Sequence, residues 1–152
     1  MRYLIKPIIL SLAMVVAVPL QATVKGLENY IAGFDYAARK EMKIDSKTLI
    51  PLLKEGKAQL VDIRFKEENA TWKVNPSISI PLNELPGRLN EIDRSKIVVT
   101  ACPHKDRAII AMVYLRSRGI DAKYLTDGLT GLVENLRGDA AKDLVEALTA
   151  QN

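Results

Sequence analysis

The sequence predicts an α/β fold with a small, mostly parallel sheet flanked by helices on both faces. Short apolar runs alternate with helical patterns over residues 45–152, and this alternation is typical of parallel strand–helix–strand units. The clearest unit is KIVVTACPHKDRAIIAMVYLRSRG, residues 96–119. Its β-branched run at 97–99 predicts a strand buried on both faces. The apolar stretch at 108–115 predicts a buried helix, which Gly119 can end in a left-handed conformation.

The other elements follow in chain order. Residues 26–42 carry apolar side chains at three- and four-residue spacings and predict one helix. Residues 47–54 predict a short helix capped by Asp45 or Ser46, with Pro51 in its first turn or at a kink. Further strands are predicted at 59–64, 78–80 and 122–126, further helices at 84–92, 129–136 and 139–148, and a polar connection at 65–76.

The amino-terminal region predicts a secretory signal peptide. Arg2 and Lys6 form a basic start, residues 7–20 are apolar and uncharged, and Ala22 is a small residue at the cleavage point. The apolar run is short for a membrane span, so we expect a periplasmic protein, and an uncleaved membrane anchor is the less favoured alternative. The predicted organisation is a signal peptide at 1–22, a helical extension at 23–44 and an α/β domain at 45–152.

Composition excludes several classes of protein. The formal charge of +4 falls to +2 without Arg2 and Lys6, and there is no basic run, so we expect no nucleic-acid partner. An exported chain with one cysteine cannot form an internal disulfide, so its thiol is either catalytic or an intermolecular link. The helical extension leaves two roles open, because it can cover one face of the sheet or mediate a homodimer.

The single cysteine, Cys102, lies between the predicted central strand and the buried helix. Ligand sites of open α/β sheets lie at this carboxyl edge, and the backbone N–H groups at a helix start attract negative charge. Lys105 and Arg107 add positive charge, which favours a thiolate and predicts a reactive cysteine. The structural alternative is a small buried core residue. Asp62 and Trp72 are expected to have structural roles. Arg64 is expected either at the mouth of the pocket or in a surface ion pair, which is the favoured alternative.

Four segments, in this order and spacing, are similar to one known family. They are LVDIR (60–64), ISIPLNEL (78–85), KIVVTACPHKDRA (96–108) and LRSRGIDAKYLTDG (115–128). Over about residues 45–137 the chain resembles the single-domain rhodanese-like sulfurtransferases, and among these it is most similar to the periplasmic polysulfide-sulfur transferases. The most specific part is the six-residue loop from Cys102 to Arg107.

The resemblance implies that Cys102 carries a persulfide and that Arg107 and the loop amides hold the anionic sulfur. It implies a polysulfide or thiosulfate donor, a thiol or cyanide-like acceptor, and no cofactor or metal. The same site also fits a carrier that delivers sulfur, without turnover, to a periplasmic or membrane redox partner. The catalytic pair is therefore Cys102 and Arg107, and the expected substrate-binding residues are Pro103, His104, Lys105, Asp106 and Ala108.

The chain departs from the family pattern in three places. Lys105 replaces the central glycine of the loop, and Asp106 adds a negative charge beside the nucleophile. The late glycine-glycine-tryptophan motif reads GLTGL (128–132), and the histidine-glycine-alanine stretch reads WKVNPSI (72–78). His104 either contacts the outer sulfur, as a hydrogen-bond or proton donor, or is a solvated loop residue.

Two other cysteine-based classes fit less well. A cysteine phosphatase needs five residues between cysteine and arginine to enclose a phosphate, and this loop has four. A thioredoxin-like protein needs a second cysteine where Lys105 stands, and a later proline facing the first cysteine. No proline follows Pro103 in the sequence.

Overall fold

The computed structural model describes residues 20–151 of the chain, with side chains from residue 26 onward. Its five-stranded sheet is parallel throughout and has the order β1-β5-β4-β2-β3. The strands are β1 (Lys43–Ile44), β2 (Ala58–Asp62), β3 (Ile78–Ser79), β4 (Ile97–Ala101) and β5 (Ala122–Leu125). The α-helices of this described part are α1 (Leu20–Ala32), α2 (Tyr36–Glu41), α3 (Ser46–Lys54), α4 (Lys66–Thr71), α5 (Asp106–Ser117), α6 (Gly128–Asn135) and α7 (Asp139–Thr149).

The sheet separates two apolar cores, as the predicted arrangement of helices on both faces requires. Neighbouring strand residues point to opposite faces. Val61 and Val98 accordingly belong to one core, which α5 covers with Met112 and other residues. Leu60 and Val99 belong to the other core, to which α3, α6 and α7 contribute. The central strand β4 is covered on both faces, so the residue that follows it is held in a rigid frame.

The predicted single helix over residues 26–42 is wrong, because the structure has two helices there. The break falls after α1 at Gly33, a residue with low helix propensity. Asp35 then caps α2, and its side chain accepts a hydrogen bond of 2.8 Å from the backbone N–H of Ala38. The helical extension is therefore divided into α1 and α2, because a second helix begins within the apolar pattern.

Two further predictions need correction, and one strand was not predicted. The connection at 65–76 contains the helix α4, whose polar residues gave no apolar periodicity. The predicted helix at 84–92 is two 3₁₀ turns, Leu85–Gly87 and Leu89–Glu91, because Pro86 and Gly87 disfavour an α-helix. The two-residue strand β1 is too short to show a pattern, although it joins the sheet beside β5.

Several predicted helix boundaries are confirmed. Asp45 caps α3 by accepting a 2.8 Å hydrogen bond from the backbone N–H of Thr48, but Pro51 lies beyond the first turn of that helix. Gly119 follows α5 with φ of +73°. Gly138, with φ of +55°, separates α6 from α7. Glycine adopts these left-handed conformations without the steric cost that a side chain would add.

The helix α1 packs against α5. Gly26 lies against the backbone carbonyl of Ser117, and the Tyr30 hydroxyl is 3.9 Å from the Met112 sulfur. Ile31, on α1, is exposed. Within residues 20–151 no helix is long and apolar enough to cross a membrane. Most of the predicted signal peptide lies outside the described residues.

Candidate active site

Cys102 lies directly after the central strand β4, at the carboxyl edge of the sheet. Its residue is buried, and it packs in the same core as Ala108 and Met112 of α5. The Cys102 Sγ lies 3.5 Å from Oδ1 of Asp106, so the thiol donates to that carboxylate. The predicted nucleophile is thus a buried sulfur in contact with one ionisable group at the start of α5.

The first half of the loop is fixed by α6. The backbone N–H of Leu129 donates to the Cys102 carbonyl at 2.8 Å, and the Thr130 hydroxyl donates to the Pro103 carbonyl at 2.7 Å. Gly128 has φ of +65°, and a Cβ there would overlap the carbonyl oxygens of Pro103 and His104. A glycine is therefore required at 128 for this close approach of the two backbones.

The second half of the loop leads into α5 without a left-handed residue. Lys105 has φ of −151° and ψ of −21°, and its carbonyl accepts the backbone N–H of Ile109 at 2.9 Å. No non-glycine residue among those described has positive φ. The backbone at 105 has no positive φ that would require glycine, so it accepts a lysine.

Arg107 is paired with Glu68 of α4. The two Arg107 terminal nitrogens donate to the two Glu68 carboxylate oxygens at 2.6 and 2.8 Å. The hydrogen bonds from Arg107 lower the pKa of Glu68 to about 2, although partial burial opposes this. The same bonds raise the pKa of Arg107 above its ordinary value. The charge of the predicted anion-binding arginine is therefore largely balanced by the protein itself.

A second ion pair joins Arg64 to Asp62, the last residue of β2. Arg64 and Asp62 are both fully buried, with Arg64 Nη2 2.6 Å from Asp62 Oδ2. Arg64 also donates to the Trp72 carbonyl at 2.7 Å, and its guanidinium carbon lies 3.9 Å from the centre of the Trp72 ring. Asp62 is thus paired with an arginine, and Trp72 contacts the same guanidinium through its ring and its carbonyl. Arg64 lies neither at a pocket mouth nor in a surface pair, because its guanidinium turns inward to balance the buried charge of Asp62.

Comparison with known proteins agrees with this architecture. The sequence profile of the rhodanese-like domain matches residues 45–135. A sulfurtransferase of Allochromatium vinosum is 32% identical over 97 residues, which are 63% of this chain and 81% of that protein. This chain belongs to the rhodanese-like sulfurtransferases. A rhodanese-like domain protein of Staphylococcus aureus superposes with a TM-score of 0.55 at 30% identity, covering 59% of this chain and 89% of that one. A human single-domain sulfurtransferase has the same fold, with a TM-score of 0.55, 24% identity, and coverage of 61% and 96%.

The membership confirms the predicted fold and family. The periplasmic polysulfide-transferring subgroup, the sulfur donor and export stay predictions.

The predicted site residues do not all have the same surroundings in this rhodanese-like domain. His104, Lys105 and Asp106 are exposed on the loop, whereas the side chain of Ala108 is buried in the core. The Ala108 carbonyl accepts a 2.8 Å hydrogen bond from the Thr100 hydroxyl. A contact of Ala108 with substrate would therefore go through its backbone N–H.

The sequence analysis missed Glu68 and Thr130. Glu68 stands next to Glu67 in a polar stretch, and nothing in that pattern tells which of the two reaches Arg107. Thr130 lies in the variant GLTGL segment, where its hydroxyl fixes Pro103 as described above. Within the described part of the chain no cluster of three or more metal-ligating side chains is found.

Proposed function

We propose that this protein transfers sulfane sulfur, from polysulfide or thiosulfate to a thiophilic acceptor, as a persulfide on Cys102. The observation that carries the proposal is the position of the chain's one thiol after the central strand, with the start of α5 beside it. Arg107 and the loop amides supply the positive side of the site. Two of the five N–H groups of the Arg107 guanidinium donate to Glu68, which leaves three N–H groups for an anionic sulfur donor.

The reaction needs two displacement steps at sulfur. In the first, Cys102 Sγ attacks the sulfane sulfur of the donor, a new S–S bond forms, and the old S–S bond breaks toward the leaving sulfite or shortened polysulfide. In the second, an acceptor nucleophile attacks the outer sulfur, and the electron pair of the broken bond returns to Cys102. No external oxidant or reductant is consumed.

Intact-protein mass spectrometry after exposure to polysulfide, and separately to thiosulfate, tests the proposal. We expect a gain of one or more sulfur atoms that cyanide removes and that Cys102→Ser lacks. The variant should keep its circular-dichroism spectrum, because serine differs from cysteine by one atom. Sulfur loading that persists in Cys102→Ser would move the chemistry to another residue and overturn the proposal.

The second candidate is a carrier that holds sulfur for a periplasmic or membrane redox partner. It is favoured by the burial of Cys102, because a buried persulfide is protected from solvent thiols. Steady-state turnover with cyanide distinguishes the two functions. A protein that loads once and releases sulfur only to a protein partner is a carrier.

We also propose that the protein is exported and that the helical extension mediates a homodimer. Support comes from the basic and apolar start of the sequence and from the exposed apolar residues of the extension, Leu27, Ile31 and Phe34. The mass of the protein recovered from the periplasm tests export. Sedimentation velocity of wild type and Ile31→Ser tests the dimer, which the substitution should weaken.

A further inference from the structure

Asp106 is an exposed residue in contact with the reactive sulfur. Its Oδ1 accepts the Cys102 thiol at 3.5 Å. Cys102 itself is buried. A sulfur donor that approaches Sγ beside Asp106 therefore meets this carboxylate.

The Asp106 carboxylate also accepts hydrogen bonds from N–H and S–H groups that would otherwise bind an anionic substrate. The backbone N–H of Arg107 and the Cys102 thiol keep the pKa of Asp106 below its ordinary value, and its own backbone N–H adds to the effect. These groups belong to the start of α5, where a bound anion would be most favoured. The start of this helix thus has a resident negative charge.

The positive residues of the loop leave little charge for a dianion. Arg107 is bound through both terminal nitrogens to Glu68. Lys105 is exposed, and its single charge is matched by that of Asp106. Besides Cys102, the exposed His104 is the one other titratable residue within the loop. Counted with His104 uncharged and Cys102 as the thiol, the loop and its partner Glu68 carry no net charge.

We propose that Asp106 is a catalytic residue that selects the donor by charge, favouring a hydropersulfide over thiosulfate. A hydropersulfide, R–S–SH, brings at most one negative charge on its sulfur pair toward the carboxylate, whereas thiosulfate brings two. The Asp106 carboxylate is exposed, so solvent screens part of this repulsion, and what remains acts more strongly on a dianion than on a monoanion. The inference rests on the proposed function and names its substrate class.

The loading step with a hydropersulfide balances without a proton held by Asp106. Cys102 loses its proton to water, and Sγ attacks the outer sulfur of R–S–SH. The Sγ–S bond forms, the S–S bond of the donor breaks, and the leaving thiolate R–S⁻ takes up a proton from water. The sum is Cys–SH plus R–S–SH giving Cys–S–SH plus R–SH, in which atoms and charge balance.

Loading rates with two donors test the inference. Cysteine hydropersulfide and thiosulfate are each mixed with the full chain, and the sulfur adduct on Cys102 is followed by mass spectrometry. We expect wild type to prefer the hydropersulfide. Asp106→Asn should shift the ratio of the two rates toward thiosulfate by about tenfold. Asp106→Glu keeps the charge and should keep the preference.

Glu67→Gln is the matched control. It removes one negative charge from an exposed residue of the neighbouring helix α4, and it should leave the ratio unchanged. An equal shift in Glu67→Gln and Asp106→Asn would mean that only the overall charge matters, and it would overturn the role of Asp106. A wild-type preference for thiosulfate would overturn it as well.

A second measurement keeps the inference separate from the proposed function. Iodoacetamide and iodoacetate alkylate the same thiol, are similar in size and differ by one negative charge. We expect Asp106→Asn to raise the rate with iodoacetate relative to iodoacetamide severalfold, and Glu67→Gln to leave it unchanged. If neither sulfur donor loads the protein but this shift occurs, the proposed function fails and the charge selection stands. An unchanged alkylation ratio, or no alkylation of the folded protein, overturns the charge selection.

Discussion

Two arginine–carboxylate pairs near the carboxyl edge of the sheet differ in how much water reaches them. Arg64 and Asp62 are both fully buried. Arg107 and Glu68 have side chains that are 27% and 35% exposed. The shortest N–O distance is 2.6 Å in both pairs. The shortest contacts are therefore equal in length, and the difference lies in what each charge would lose if its partner were removed.

The buried pair of Arg64 and Asp62 fixes the end of β2, whereas the partly exposed pair of Arg107 and Glu68 is accessible to water and ligands. Besides Arg64, Asp62 accepts a 2.9 Å hydrogen bond from the Asn69 side chain, so its environment is closed by the protein. Glu68 accepts one further bond, of 3.2 Å, from the Phe65 backbone N–H. Water can replace a lost partner at Glu68 but not at Asp62. One pair is thus structural, and the other suits a site that must exchange anions.

Arg64→Met should show the largest effect of any substitution in these pairs. It leaves the buried carboxylate of Asp62 without its partner, and we expect a loss of about 3–5 kcal/mol in the free energy of unfolding. Urea denaturation followed by circular dichroism measures the change. The matched control is Arg137→Met, which breaks an exposed pair with Glu134 and should cost no more than about 0.5 kcal/mol.

The double variant Asp62→Leu with Arg64→Met sharpens this result. It removes both buried charges, so it should be more stable than Arg64→Met alone. If the single variant loses less than about 1 kcal/mol, the pair behaves like a surface pair. The contrast between the two ion pairs would then be wrong.

Arg107→Ala should change donor loading more than stability. Its pair with Glu68 is partly solvated, so the loss in the free energy of unfolding should stay below about 1 kcal/mol. Loading by thiosulfate should fall about tenfold, because the anion loses a positive partner and meets an unbalanced Glu68. Adduct formation on Cys102 is the measurement, and Arg137→Ala is the control for loss of an exposed arginine. Unchanged loading with a large loss of stability would make Arg107 a structural residue.

The central unit of the fold and the position of Cys102, the predicted nucleophile, could be predicted from the sequence, because both depend on local patterns. The apolar strand before Cys102 and the buried helix after it are readable from residue types alone. The Glu68 partner of Arg107 is not, since 39 residues separate the two in the chain. Nor is the burial of Arg64, because its partner Asp62, only two residues away, is buried by the packing of the whole sheet. Glu68 and Thr130 were missed because their partners lie in separate segments, and no periodicity encodes such contacts.

The substitution Glu68→Gln should have the smallest effect on stability, and this effect should change only at acidic pH. The pKa of Glu68 is lowered from 4.5 to about 2 in the folded protein. A lowered folded-state pKa stabilises the protein above the unfolded-state value, and this stability is lost as the pH falls through about 2. The stability difference between wild type and Glu68→Gln should therefore be constant near neutral pH and shrink below pH 4.5. Because the pair is about a third exposed, the whole difference should be below about 1 kcal/mol.

Carbon-13 NMR of the side-chain carboxyl measures the same linkage directly. In wild type, Glu68 should titrate far below its neighbours, and in Arg107→Ala its pKa should return toward the ordinary value. Arg137→Ala, which removes a distant arginine, should leave the Glu68 titration in place. A wild-type Glu68 that titrates near 4.5 would mean that Arg107 is free in solution. The full charge of Arg107 would then be available to an anionic donor, and the loop would no longer be neutral.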